Sequence, residues 1–452
     1  MKDRTTEIFE NAPIPKAVFV NILPSIISML MVLIYNLADT FFIAKTENPL
    51  MVAAVTQATP AFLFFMAVGM LFGVGGTSLI SRLLGQGRKE DASHACSFCF
   101  WTGGMVGVVG MILMLVAREP LAWMIGATPQ TLELVKEYLT YVSFGVPFLV
   151  IGNAFSNIIR AEGKANKAMF GMILGNVVNI VLDPILILGF VWNVMGAAVA
   201  TVIGQVLAAG FYIFHYASGS SILTISPKAY RAGNSIATGV MAIGIPASLN
   251  SVLMSVSNIL VNIQMKPHGN LAVAGLGVAM KVNMVAVMLL IGVGTGIQPL
   301  LGYNFGAGNR KRFKGILRFS LIFAIALSFV MSVICYAGAG PMVSAFLDDP
   351  AFYDYGMSFA RMLIISGPIL GVLFVMINAI QSMGAALPSL ILSISRQGLI
   401  YIPILFLFSA VFGTAKMLVI AQPVADYIST TTAIILFIIS FRKYFVDKEV
   451  KS

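Results

Sequence analysis

Long stretches without a charged residue recur along this chain of 452 residues, and they constrain its fold more than any other feature. Many of them reach 18 residues, which lets a helix cross a hydrocarbon core about 30 Å thick. A membrane barrel would instead need strands of about ten residues in which polar and apolar side chains alternate. With 58% hydrophobic and only 10% charged residues, the chain is predicted to be an all-α integral membrane protein.

The charge-free stretches predict twelve transmembrane helices, at 16–44, 51–81, 93–117, 132–159, 168–190, 194–217, 236–265, 271–303, 314–338, 352–381, 387–411 and 413–441. An even number of spans puts both termini on one side. Of the 28 lysines and arginines, 20 fall in the termini and loops of that side and 5 in the opposite loops. Cytoplasmic loops carry the excess of basic residues, so both termini are predicted to be cytoplasmic, in a multi-pass protein of the cytoplasmic membrane.

The two halves of the chain resemble each other. Pro24 and Asn36 recur as Pro246 and Asn258, 222 residues later, and GVGGTSLISRLLGQGRK (73–89) is similar to GTGIQPLLGYNFGAGNR (294–310). Six spans in each half mean that the two repeats cross the membrane in the same sense, around a pseudo-two-fold axis along the membrane normal. We expect an N-terminal lobe (1–217), a cytoplasmic linker (218–235) and a C-terminal lobe (236–452), with a cleft between the lobes.

Two aspartates are predicted to lie at the same depth in the first lobe. Asp39 is about six residues from the outer end of the first span, and Asp183 is about seven residues from the outer end of the fifth. Asn179 shares the helix face of Asp183, and Thr201 in the sixth span reaches a similar level. We therefore expect these four side chains to meet in the outer half of the lobe.

Such a cluster is suited to holding a cation. Two carboxylates close together in a low dielectric cannot both stay ionised without a counter-charge, so one binds a proton or a cation binds between them. The neutral oxygens of Asn179 and Thr201 would help to bind Na⁺, and the sequence leaves H⁺ or Na⁺ open. The alternative is that Asp39 and Asp183 pair separately with buried donors. The second half has Val261 and Ile402 at the matching positions, so the coupling site is predicted in the first lobe alone.

Charged residues inside predicted spans of the second half include Lys281, Arg396 and Asp426. Lys281 either lines a wet cavity or pairs with backbone carbonyls. Asp426 is better explained by a helix-to-helix hydrogen bond than by an ion site, and Arg396 is a candidate partner for it. Methionines such as Met284 suit an adaptable cavity wall, although packing against lipid or other helices is their commoner role.

Enzymatic chemistry is not expected. The three histidines, His94, His215 and His268, are scattered, and no span places a nucleophile beside a base at helical spacing. The three cysteines lie in apolar stretches and are interpreted as packed thiols. The net charge of +10 comes mainly from basic residues in the loops and termini of one side, so it does not indicate a nucleic-acid partner.

Several stretches together resemble the multidrug and toxic compound extrusion (MATE) family almost from end to end. They are YNLADTFFIA (35–44), GQGRKEDA (85–92), IIRAEGKANKAM (158–169), NIVLDPILILG (179–189), GAAVATVIGQ (196–205) and GYNFGAGN (302–309). The resemblance implies an antiporter that exports cationic amphipathic compounds by alternating opening of a V-shaped cleft. Inward movement of Na⁺ or H⁺ would drive it, with no other cofactor.

The resemblance also assigns roles to residues. It implies a first-lobe cation site that corresponds to Asp39, Asn179, Asp183 and Thr201, with Asn153 as a further member. Pro24 is similar to the proline at which relatives are thought to bend the first span. Candidates for the substrate cavity are Tyr35, Asn36, Lys281 and Met284.

One departure from the family concerns the second lobe. Its seventh span has no acid, and its tenth has only Asp354 near the outer end, so a second-lobe ion site is doubtful and an anionic or zwitterionic substrate stays open. The alternatives to drug export are a flippase for a lipid-linked precursor and an uncoupled channel or membrane scaffold. The expected partners are small organic cations and the lipid bilayer, with the chain acting as a monomer.

Overall fold

The structure is a computed structural model that describes residues 7–46, 48–344 and 350–445. Within these residues the chain is helical and contains no strand. The α-helices, in chain order, are α1 (Ile14–Ala44), α2 (Pro49–Gly85), α3 (Lys89–Val116), α4 (Arg118–Met124), α5 (Leu132–Ser143), α6 (Val146–Ala161), α7 (Ala165–Asp183), α8 (Asn193–Ala217), α9 (Asn234–Met265), α10 (Asn270–Gly306), α11 (Arg310–Ala337), α12 (Ala339–Ser344), α13 (Pro350–Leu363), α14 (Gly367–Ser382), α15 (Ala386–Ile394), α16 (Ile402–Phe412) and α17 (Ala415–Phe445).

Eleven of the described helical segments are long and apolar enough to cross a membrane, and a bent pair raises the number to twelve. The predicted all-α membrane fold is therefore confirmed. The bent pair is α5 with α6, which meet at 54°. The fourth predicted span, 132–159, is thus not one straight helix. Pro147 accounts for the break, because it lacks the backbone N–H that would continue the helix.

Two predicted spans contain wider helical turns. A π-helical turn, Pro184–Gly189, continues α7 beyond Asp183, and a second one, Ser395–Tyr401, joins α15 to α16. Such turns inside α-helices often occur at functional sites. The tenth span is α13 and α14, joined through the 3₁₀ turn Ile364–Ser366.

The helices form two compact units whose boundaries cut across two long helices. Within the described residues, unit 1 contains 7–8 and Ile27–Ser248, and unit 2 contains Phe9–Ile26 and 249–445. The predicted lobes, 1–217 and 236–452, are continuous pieces of the chain. The compact units are not, because α1 is divided between them after Ile26 and α9 after Ser248. The two division points are 222 residues apart, the separation at which Pro24 and Pro246 correspond.

Glycines allow the early part of α1 to pack on unit 2. A β-carbon added at Gly292 of α10 would lie 2.8 Å from the Cα of Ile26, and one at Gly296 would lie 2.8 Å from the Cα of Ile22. Both distances are too short for a side chain. Small residues in membrane helices commonly allow two backbones to approach this closely.

Residues 9–13, which precede α1, are also held in unit 2. Phe9 is fully buried, and its carbonyl accepts a hydrogen bond from Nε of Arg312 at 2.7 Å. The hydroxyl of Tyr303 donates to Oε1 of Glu10 at 2.7 Å. Nη2 of Arg312 donates to the carbonyl of Ala12 at 2.7 Å, so the segment is fixed at several points.

The predicted linker, 218–235, is attached to α3 in unit 1. Ser97 donates to the carbonyl of Ser226 at 2.8 Å, and the indole N–H of Trp101 donates to the carbonyl of Ile225 at 3.0 Å. Nδ1 of His94 lies 2.8 Å from the carbonyl oxygen of Ala229. His94 is therefore a structural contact of the linker.

Candidate functional site

A contact between α7 and α8 without intervening side chains sets the geometry of the candidate site in unit 1. A β-carbon added at Gly175 would lie 2.7 Å from the carbonyl oxygen of Gly204, and one at Gly204 would lie 2.6 Å from that of Gly175. One helical turn beyond this contact, Asn179 of α7 faces Thr201 of α8. The glycines thus bring the polar side chains of the two helices within hydrogen-bonding distance.

Asp183 is the most deeply buried member of the site. It has no exposed surface, and its Oδ1 has no hydrogen-bond partner among the described residues. It is the last residue of α7, and the π-helical turn that follows begins with Pro184, which has no N–H to donate. An ionised carboxylate in such surroundings costs several kcal/mol unless a cation or proton compensates it.

The Asn179 side chain can be turned in two ways. In one orientation its Nδ2 donates to Oγ1 of Thr201 at 3.3 Å, and its carbonyl oxygen faces the carboxylate of Asp183. In the other, Nδ2 donates to Oδ2 of Asp183 at 3.1 Å and Oδ1 accepts from the backbone N–H of Thr201 at 3.0 Å. The second orientation pairs each donor with an acceptor. The first places two acceptor oxygens together, which is favourable only with a positive charge between them.

Asp39 of α1 lies near enough to Asp183 for their charges to interact. Asp39 is half-buried, whereas Asn179 is 2% and Thr201 6% exposed. The structure therefore brings together the four residues that the sequence singled out. All four belong to unit 1.

Two tyrosines join this cluster. The Tyr35 hydroxyl, one helical turn before Asp39 on α1, lies beside the Thr201 side chain. Tyr138 of α5 is 9% exposed and lies within electrostatic range of both aspartates. The sequence assigned Tyr35 to a substrate cavity and did not single out Tyr138, because a tyrosine in a short amphipathic segment gives no distinctive pattern.

The hydrogen bonds of two further predicted residues, Asn153 and Asn36, stay within their own helices. Nδ2 of Asn153 donates to the carbonyl of Leu149 at 3.0 Å, so this bond stays within α6. Asn36 is exposed, and its amide donates to the carbonyl of Val32 at 2.8 Å. Pro24 is buried inside α1.

Lys281 and Met284 are both on α10 in unit 2, where Lys281 is exposed and Met284 is half-buried.

A second buried acidic cluster, which the sequence did not reveal, lies at the start of α7. The side chain of Glu162 is fully buried, Nζ of Lys164 donates to its Oε2 at 2.8 Å, and Oγ of Ser221 donates to its Oε1 at 2.8 Å. Nε2 of His215 lies 3.9 Å from Oε2. Burial alone would raise the pKa of this carboxyl, but the neighbouring His215, Lys164 and Ser221 side chains lower it below its ordinary value of 4.5. Glu162 is therefore ionised at neutral pH.

Comparison with known proteins identifies the family. The MatE family model matches residues 24–185 and, again, residues 246–407. The two matches begin 222 residues apart, as the internal repeat does, and together they cover more than half of the chain.

The chain belongs to the MatE family.

Similar proteins cover nearly the whole chain. Multidrug export protein MepA of Staphylococcus aureus (strain N315) is 32% identical over 414 residues, which is 91% of either chain. The protein of the same name from Staphylococcus saprophyticus is 29% identical over 448 residues, or 99% of either chain. A crystal structure of MATE in complex with MaL6 has a TM-score of 0.92 at 24% identity, covering 99% of this chain and 100% of that one. This MatE protein is a multi-pass membrane transporter and not an enzyme, as its sequence motifs predicted.

The second unit of this MatE protein has a buried ion pair in place of a carboxylate cluster. Nε of Arg396 lies 3.5 Å from Oδ1 of Asp426, and both side chains are less than one-tenth exposed. Ser366 donates to Oδ2 of Asp426 at 3.0 Å, and Gln422 donates to Oδ1 at 3.1 Å. The guanidinium of Arg396 also lies 5.1 Å from the ring centre of Phe374. Arg396 thus supplies a counter-charge to Asp426, the partner that the sequence suggested for it.

Proposed function

We propose that this MatE protein is a cation-coupled antiporter that exports cationic amphipathic drugs across the cytoplasmic membrane. Its coupling ion, H⁺ or Na⁺, would bind between Asp39 and Asp183, with oxygens of Asn179 and Thr201 as further ligands. The observation that carries this proposal is the buried carboxylate of Asp183, whose Oδ1 lacks a hydrogen-bond partner in the described part of the chain and whose charge interacts with that of Asp39.

The contrast between the two units supports the placement of the coupling site. Asp426 in unit 2 is compensated by Arg396 and by two hydrogen bonds, whereas Asp183 in unit 1 has one possible amide donor, Asn179, and another carboxylate nearby. A carboxylate that already has an arginine partner gains little from binding a cation. The uncompensated pair of carboxylates in unit 1 is stabilised much more by a bound cation.

The Asn179 amide supports a specific response to the ion. A bound Na⁺ would favour the orientation in which the amide oxygen faces Asp183, because both oxygens could then bind the cation. Protonation of Asp183 would make the carboxyl a donor, which also favours an acceptor oxygen opposite it. The ionised, unoccupied carboxylate would favour the other orientation, with Nδ2 donating at 3.1 Å. Ion binding would therefore rearrange the hydrogen bond between α7 and α8.

Drug export is supported by the relatives, which are named multidrug export proteins, and the preference for organic cations is what the resemblance to the MATE family implies. Cytoplasmic termini are supported by the 20 to 5 distribution of basic residues. Pro24 is proposed as a bending point of α1, because a proline frees a backbone carbonyl one turn earlier and weakens the helix there.

The proposal is tested by expressing variants in a drug-sensitive bacterial strain. Asp39→Asn and Asp183→Asn should each abolish resistance to ethidium while the protein still reaches the membrane. Asp354→Asn is the matched control, because Asp354 is an exposed carboxylate of α13. Full resistance in both Asp39→Asn and Asp183→Asn would contradict the assignment of the coupling site.

A further inference from the structure

A groove on unit 2 lies outside the candidate coupling site and has a volume of about 490 Å³. Its walls are Tyr336, Met357, Ser358, Arg361, Met362 and Ile365. Tyr336 is the next-to-last residue of α11, and the other five belong to α13 and the 3₁₀ turn after it. These five residues lie on one helix face, because their spacing follows the helical repeat.

The groove contains an arginine, Arg361, that has no carboxylate partner among the described residues. Nε of Arg361 is buried and has no hydrogen-bond partner among the described residues, and no described carboxylate forms an ion pair with it. Its guanidinium carbon lies 5.1 Å from the ring centre of Tyr336. A cation stacked on a tyrosine is stabilised by the ring, but its N–H groups still need an acceptor.

The level of the groove is that of a membrane surface. Arg361 is eight residues, or about 12 Å, into the span that begins at Tyr353. It nevertheless lies beside Tyr336, where the neighbouring span α11 ends. The groove is therefore at one end of α11, where lipid headgroups lie. The basic residues Arg310, Lys311 and Arg312 are at the opposite end of the same helix, so the predicted topology places the groove in the outer leaflet.

An apolar path leads from the groove toward the middle of α11. Large apolar or aromatic side chains that are between 45% and 59% exposed follow one face of this helix, at Ile322, Ile325, Phe329, Val333 and Tyr336. Their spacing of three or four residues makes the stripe continuous over about 21 Å. On the surface of a membrane helix, such a stripe contacts acyl chains.

From these observations we propose that the groove binds one phospholipid, with its phosphate on Arg361 and an acyl chain along the α11 stripe. The planar guanidinium matches the paired oxygens of a phosphate, and the hydroxyls of Ser358 and Tyr336 are placed to donate to the same group. Met357 and Met362 supply flexible apolar contacts for the glycerol and the upper acyl chain. The site is independent of the proposed ion coupling and would be present whether or not that proposal holds.

The direct test is native mass spectrometry of the purified full chain mixed with palmitoyl-oleoyl phosphatidylglycerol. Arg361→Gln should lose one bound lipid, with its apparent Kd raised about tenfold or more, because a charge-assisted hydrogen-bond pair is removed. Arg361→Lys should retain part of the affinity. Arg118→Gln is the matched control, because Arg118 is an exposed arginine on the same predicted side and hydrogen-bonds to Thr140 outside the groove.

Two competitors identify which part of the lipid is recognised. Glycerol phosphate, which has the headgroup chemistry without acyl chains, should not displace the lipid at millimolar concentration. Diacylglycerol, which has the chains without the phosphate, should bind at least about tenfold more weakly than phosphatidylglycerol. Displacement by glycerol phosphate would mean a site for soluble anions, and equal binding of diacylglycerol would mean that Arg361 does not recognise phosphate. Either result overturns the proposal.

A second variant covers the case in which Arg361→Gln does not fold. Ile365 is 53% exposed and lies four residues after Arg361, so Ile365→Glu would supply an internal carboxylate to the guanidinium. This variant should lose the same bound lipid although Arg361 is intact, while Ile365→Gln should retain it. Unchanged lipid number and affinity in Ile365→Glu, or in a folded Arg361→Gln, would refute the site.

Discussion

The side-chain amide of Asn179 reaches the carboxylate of Asp183, one helical turn along α7, with 3.1 Å between Nδ2 and Oδ2 when the nitrogen faces the acid. The same amide then accepts a hydrogen bond from the backbone of Thr201 on α8. One side chain therefore connects the buried acid to the neighbouring helix. This connection leads to the first prediction.

Asn179→Ala should weaken ion binding without preventing folding. The variant removes the amide oxygen that faces Asp183 in the ion-bound orientation, and an interaction of this kind with a charged partner contributes about 1.5–3 kcal/mol. The cation concentration for half-maximal dye efflux from vesicles should then rise about tenfold or more. Asn262→Ala is the control, because Asn262 is a half-buried amide of α9 that donates to the carbonyl of Asn258 at 2.7 Å. An unchanged half-maximal concentration in Asn179→Ala would remove the amide from the coupling site.

The glycine contact that positions the site gives the second prediction. Gly175→Ala should destabilise the protein by about 1–3 kcal/mol, because the new methyl group would press on the carbonyl of Gly204. Gly210→Ala of α8 is the matched control, since a β-carbon there meets nothing within 4 Å. That variant should be neutral or slightly stabilising. Thermal unfolding in detergent measures both, and equal melting temperatures would show that α7 and α8 are not in backbone contact.

The ion pair in unit 2 is predicted to be structural. Asp426→Asn leaves Arg396 buried without its counter-charge, so the free energy of unfolding should fall by about 3–5 kcal/mol. The ion dependence of efflux should stay as in the parent protein. Thermal unfolding and vesicle efflux separate these two effects. A changed ion dependence with unchanged stability would instead make Asp426 part of a second coupling site.

The Glu162 cluster predicts a dependence of stability on pH. Because the pKa of Glu162 is lowered in the folded protein, its stabilising contribution is fully present above the ordinary value of 4.5 and is lost as the pH falls through the lower folded value. Glu162→Gln should therefore cost about 1–3 kcal/mol at pH 7 and progressively less in acid.

A surface ion pair serves as the control for that experiment. Glu133, whose side chain is 82% exposed, pairs with Lys136 at 3.0 Å. Glu133→Gln should change stability by less than about 1 kcal/mol at either pH. If Glu162→Gln were as mild as Glu133→Gln at pH 7, the buried cluster would contribute no net stability.

Sequence reasoning succeeded where a pattern is local. The spans follow from uninterrupted hydrophobicity, and the two aspartates stand out because charges are rare there. It did not reveal Tyr138, Glu162 or Arg361. Their significance depends on neighbours distant in the chain: α1 for Tyr138, the linker serine Ser221 for Glu162, and α11 for Arg361.

The boundaries of the two compact units could not be read from the sequence for a related reason. Hydrophobicity predicts that 16–44 is one helix, but it carries no information about which helices its two ends contact. The packing of Ile22 and Ile26 on Gly296 and Gly292 becomes visible only when the helices are assembled. Likewise, the 54° bend between α5 and α6 requires a break that the apolar composition of the fourth span does not indicate.

The most direct test of the coupling site is dye transport in vesicles made from purified protein, with a Na⁺ gradient and a pH gradient imposed separately. The parent protein should move ethidium against its gradient under at least one of the two, and Asp183→Asn should do so under neither. Asp354→Asn should transport like the parent. Transport by the parent without either gradient, or gradient-driven transport by Asp183→Asn at the parental rate, would contradict cation coupling at Asp39 and Asp183.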